Sequence, residues 1–122
     1  MPDTPTVYCL TRDRELAVAL DEQLTGAIAF FYNDAARLSQ AVILRPPDVV
    51  VVDTGAIRPD YGDAGLGPVF DFLRHRTRDA RLLVRPAAGS EVLVAAEAGP
   101  RVTLLPAGRD ACVEGVVALI GS

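Results

Sequence analysis

Apolar residues along this chain fall into short runs, separated by stretches in which they recur at helical spacing. Val7 to Leu10 is the first run. Leu16, Ala19, Leu20 and Leu24 then recur at three- and four-residue intervals. That spacing predicts a helix over roughly 14–25, capped by Thr11 or Asp13 and stopped at Gly26. The alternation continues with a strand over 27–31. A second helix, opened by Asn33 or Asp34, carries Ala35, Leu38, Ala41 and Val42 on one face. It has to end before Pro46 and Pro47, which cannot continue a helix. A third strand covers 49–52. The glycine- and proline-rich stretch over 54–68 predicts a loop, and a third helix over 69–76 carries Phe70, Phe72 and Leu73. Two further pairs follow: a strand over 81–84 with a helix capped by Ser90 and stopped by Gly99, then a strand over 102–105 with a helix over 110–120. Five strand–helix units joined by short links predict a doubly wound α/β fold, with a parallel sheet between two layers of helices.

Composition narrows the class without changing that picture. A length of 122 residues suits one domain with its own core. Half the residues are apolar and 23% are charged, which excludes a disordered chain. No apolar run approaches the ~18 residues of a membrane span, and the start, MPDTPTVYCL, lacks the basic region of a signal peptide. A cytoplasmic protein is expected. Cys9 and Cys112 both fall in apolar runs and are expected to be buried free thiols. A net charge of −4 argues against a direct grip on nucleic acid. All twelve basic residues are arginines, so chemistry that needs a lysine ammonium is excluded.

The most apolar run, DVVVVDT at 48–54, ends on a carboxylate. Four β-branched residues in a row suit a strand buried on both faces. In such sheets ligands and chemistry gather just beyond the carboxyl ends of the strands, which is where Asp53 falls. Lone His75, among Arg74, Arg76 and Arg78, suits the C-terminal end of a helix, and no second His or Cys cluster points to a metal. The glycines of GDAGLG at 62–67 lack the lysine and the preceding strand of a phosphate-binding loop.

RPPDVVVVD at 45–53 and LLP at 104–106 give the chain its resemblance to the receiver domain of bacterial response regulators. The first is similar to the run leading to that family's phospho-acceptor aspartate, the second to its lysine–proline pair after strand five. The resemblance implies a flavodoxin-like (CheY-like) sheet of order 2-1-3-4-5. It makes Asp53 the acceptor position and implies a cis bond before Pro106. Such a site also needs an acidic pair for a divalent cation, a hydroxyl on strand four and a lysine on strand five.

Those positions fall here on Thr11 and Arg12, on Arg85, and on Leu105, while Asp13 stands one step beyond the acidic pair. The aromatic of strand five has no counterpart, Val102 or Thr103 standing instead, and Gly55 follows Asp53 at a backbone ligand position. An arginine where a dication would sit repels it by ~1–4 kcal/mol per unit charge at about 4 Å. Mg²⁺ binding is therefore expected to be lost or very weak, with no cofactor. Arg12, Arg85 or both are expected to pair with Asp53 instead.

The leading expectation is a pseudo-receiver, a non-enzymatic signalling domain working through protein contacts independent of phosphorylation. Two alternatives stay open: a degenerate acceptor still modified on Asp53, and a sensor of small anions at the strand-end crevice. The last two helices are apolar nearly all round. In receivers the face of helix four, strand five and helix five is where dimers form and output domains dock. Val94, Val113, Val117 and Ile120 are accordingly expected to form an interface with a second copy, a partner protein or an attached output domain.

Overall fold

The computed structural model describes residues 4–57, 65–77, 79–98 and 102–120, the side chains of 93, 97 and 98 excepted. Five parallel strands form one sheet: β1 (Thr6–Leu10), β2 (Ile28–Tyr32), β3 (Val49–Asp53), β4 (Arg81–Arg85) and β5 (Val102–Leu104). Their order is β2-β1-β3-β4-β5, the doubly wound arrangement. The helices are α1 (Arg14–Gln23), α2 (Ala35–Leu44), α3 (Leu66–Arg76), α4 (Glu91–Ala98) and α5 (Arg109–Ile120), with a single 3₁₀ turn at Thr54–Ala56 after β3.

Two cores sit on opposite faces of the sheet. On one face Leu38 and Val42 of α2, Phe70 and Leu73 of α3, and Val94 of α4 pack over Tyr8, Val50 and Val52. On the other, Leu16 and Leu20 of α1 and Cys112, Val113 and Val116 of α5 pack over Val7, Cys9 and Val51. Successive strand residues point to opposite faces, so an uninterrupted run of four valines feeds both cores at once. All four are buried.

Local chemistry sets the helix boundaries. Asp13 caps α1 by accepting from the Leu16 amide, and Asp34 caps α2 by accepting from the Ala36 amide. Helix α3 starts three residues before its expected position. Pro68 lies in its first turn, where a proline has no helical N–H bond to forfeit. The stop expected at Gly99, the position of Arg78 and the first three residues of GDAGLG lie outside the described residues. Among the described residues no helix is long and apolar enough to cross a membrane.

The structure corrects two expectations. No described peptide bond is cis, so the Leu105–Pro106 bond is trans. The Leu105 amide donates to the Val84 carbonyl at 2.7 Å, carrying the β4 ladder up to the proline with the bond in its lower-energy isomer. The second correction concerns the expected interface. Val94 is 0% and Val113 3% exposed, and both belong to the cores; Val117 and Ile120 are partly buried against α5's own core. A helix whose apolar residues run all round offers no period from which to choose its buried face. Here the core took Val94 and Val113.

Candidate functional site

The carboxyl ends of β1 and β3 lie side by side at the centre of the sheet, where the chain reverses its winding direction. Asp53, the last residue of β3, is only 6% exposed there. Its carboxylate is fully engaged. Oδ2 accepts from the Thr11 hydroxyl at 2.7 Å and from Arg85 Nη1 at 3.4 Å, and Oδ1 accepts from the Gly55 amide at 3.1 Å. The last contact makes Asp53 the cap of the 3₁₀ turn that follows. A Cβ at position 55 would stand 3.3 Å from Oδ1, so glycine lets the amide approach.

Arg85 owes its place to the register. It is the Cα partner of Asp53 in the β3–β4 ladder. Its Nε donates to the Ala107 carbonyl at 2.8 Å, which turns the guanidinium across the strand ends. Nη1 then reaches Asp13 Oδ2 at 3.0 Å as well as Asp53. Thr54 steadies the same strand end, its hydroxyl donating to the Arg85 carbonyl at 3.3 Å and accepting from the Ala87 amide at 3.0 Å.

Asp13 has a second cation. Arg109, at the start of α5, places Nε 3.1 and 3.0 Å from the two Asp13 oxygens, and its Nη1 meets Glu15 at 2.7 Å. Burial alone would raise the Asp13 carboxyl. The hydrogen bonds from Arg109, Arg85 and the Leu16 amide, with the charge of Arg109, outweigh it and lower the group from 3.8 to about 2. Reciprocally, the hydrogen bond to Asp13 raises the Arg109 guanidinium above its usual value. The chain thus carries a continuous network, Thr11–Asp53–Arg85–Asp13–Arg109–Glu15, from β3 across to α1 and α5.

Most of the expected site residues meet here. Arg12, Asp13, Asp53 and Arg85 share the lining of a cleft of about 300 Å³. Thr11 holds Asp53, and Gly55 caps it. Arg85 makes the expected ion pair with Asp53, whereas Arg12 turns its Nε to the Asn33 carbonyl at 2.9 Å. Asp13, one step past the acidic pair, does enter the cluster, because Arg85 bridges to it. Leu105 is buried in the core on the α1 and α5 face and does not line the cleft, and Pro106 is exposed. Arg109 and Thr54 were missed. A basic residue opening a helix opposes the helix dipole, and that misfit was a sequence-level sign that Arg109 needed an acidic partner.

This donor set does not fit a divalent cation. Arg85 Nη1 lies 3.0 and 3.4 Å from the two carboxylates that a cation would have to bridge. Among the described residues no group of three or more His, Cys, Asp or Glu side chains gathers as a metal site would require.

The class defined by this topology is the receiver fold. A response regulator from Thermotoga maritima superposes with a TM-score of 0.69 at 21% identity, over 98% of this chain and all of that one. A signal receiver domain from Vibrio parahaemolyticus gives 0.69 at 18% identity, over 97% of this chain and 90% of its own. A de novo designed Rossmann 2x3 protein scores 0.70 at 14% identity, over 98% of this chain and 92% of its own. A designed protein at the same similarity shows that the fold alone carries no function. No family model and no curated protein matches the sequence.

Proposed function

We propose that this chain is a pseudo-receiver: a receiver-fold signalling domain that works through protein contacts rather than phosphotransfer or catalysis. One observation carries the reading. Asp53 already spends both carboxylate oxygens on Thr11, Arg85 and Gly55, and Arg85 binds it to Asp13 where a metal would be needed. A carboxylate so compensated is a poor nucleophile toward phosphorus, and the guanidinium between Asp13 and Asp53 stands where a cation would have to sit to assist transfer. The signal then lies in the surface and not in the charge state of Asp53.

In this reading the face of α4, β5 and α5 receives a partner protein or an attached output domain. Val94 and Val113 are not its anchors. Val92, 87% exposed on α4, and Leu104, exposed on β5, present the apolar surface instead. Incubation with acetyl phosphate and Mg²⁺, followed by intact mass, tests the reading. An unchanged mass is expected; the gain of one phosphoryl group on Asp53 would replace this account with a working acceptor.

A further inference from the structure

The opposite edge of the sheet carries a different surface. Strand β2, IAFFY, pairs with β1 alone among the described strands. The Ile28 amide donates to Pro5 and the Tyr32 carbonyl accepts from Thr11, so the even-numbered residues of β2 spend their backbone groups on β1. By the alternation of a parallel ladder, the N–H and C=O of Ala29 and Phe31 point outward. Edge strands are usually protected by a charge, a proline or a bulge, and β2 has no charge or proline. Its Ile28 and Phe30 side chains are 50% and 48% exposed.

Helix α1 flanks this edge. Leu16, Leu20 and Leu24 point to the core, and Glu15 turns toward α5 to meet Arg109. At 100° per residue, Arg14 and Asp21 then lie on the flank away from α5, on the β2 side, and Val18 on the outward face of the helix, opposite the core. All three are exposed. Among the described residues neither Arg14 nor Asp21 enters an ion pair. The flank reads positive, then negative, along the helix. Such an order is complementary to itself when reversed.

We infer that the β2 edge binds a second copy of this chain, antiparallel across a two-fold axis through Phe30, continuing the sheet from one protomer into the other. In that register Ala29 faces Phe31 of the second copy and Phe31 faces its Ala29. Each such pair exchanges both of its outward N–H···O bonds. Phe30 meets Phe30 at the close, non-hydrogen-bonded position, covering the half-exposed rings. The same reversal brings Arg14 of one copy toward Asp21 of the other, twice. Both the backbone pairing and the charge order are isologous, as a two-fold contact requires. The contact does not depend on the reading of Asp53.

Sedimentation velocity on the full chain over a concentration series tests the inference, with folding followed by circular dichroism. The wild type should sediment as a dimer at high concentration. Ala29→Pro removes an outward N–H that β1 does not use and should leave a folded monomer. Arg14→Asp should weaken dimerisation by about tenfold, and Arg14→Asp with Asp21→Arg should restore it. Should the proline variant fail to fold, the charge pair decides. A wild type that stays monomeric, a dimer indifferent to these changes, or a charge reversal that the second substitution does not rescue would overturn the inference.

Discussion

Arg85 Nη1 stands 3.4 Å from Asp53 Oδ2 and 3.0 Å from Asp13 Oδ2, one guanidinium between the two carboxylates of the strand-end cleft. Removing it leaves both acids without that counter-charge in a largely buried place. Arg85→Leu should lose about 1–3 kcal/mol of stability in urea unfolding. Arg85→Lys should recover only part, since an ammonium cannot hold Ala107 and both carboxylates in one planar fork. A leucine variant as stable as the parent would show the ion pair to be idle.

Acid stability should follow Asp13. Its folded value of about 2 lies below the ordinary 3.8, so the folded state binds this proton less readily than the unfolded chain does. The resulting stabilisation is present in full above about pH 4 and is lost as pH falls toward 2. Arg109→Ala should raise the Asp13 value and move the acid-unfolding midpoint upward. Carboxyl NMR titration of Asp13 reads the shift directly, and a value unmoved by that substitution would discard the assignment of its cause.

Thr11 acts as a hub between the two acids. Its hydroxyl donates to Asp53 at 2.7 Å and accepts from the Asp13 amide at 3.0 Å. Thr11→Val keeps the shape and removes both bonds, at a cost of about 1–3 kcal/mol. Thr11→Ser should stay close to the wild type by the same measurement. Equal loss in the two variants would make the methyl group, not the hydroxyl, the contributor.

The two thiols should be inert in the folded protein. Burial, with the charges of Asp53 and Cys112, drives the Cys9 thiol far upward. Burial raises Cys112 to about 11, against a lowering contribution from Arg85. At pH 8 neither forms the thiolate that a reagent attacks. An aromatic disulfide reagent should titrate two thiols in denaturant and almost none before unfolding; rapid native labelling would place one of them at the surface.

The valine run, with Asp53 at its end, was legible in the sequence because strand burial and strand end are local properties. Asp13 was harder to place. Its two cations lie 72 and 96 positions along the chain, and only the register of β4 and the start of α5 bring them to it. Val94 and Val113 failed for a different reason. Their helices are apolar on several sides, so the pattern left the buried face open, and packing on the sheet decided it. The early start of α3 was hidden by Pro68, which reads as a breaker except in a first turn.

In the proposed pseudo-receiver the Arg85 guanidinium holds the place of a metal ion between Asp13 and Asp53. A Mg²⁺ titration followed through the backbone amide resonances of Asp13, Asp53, Gly55 and Ala87 tests it most directly. No saturable shift is expected at these amides through millimolar Mg²⁺. Saturable shifts converging on them, with release of Arg85 from the carboxylates, would contradict it.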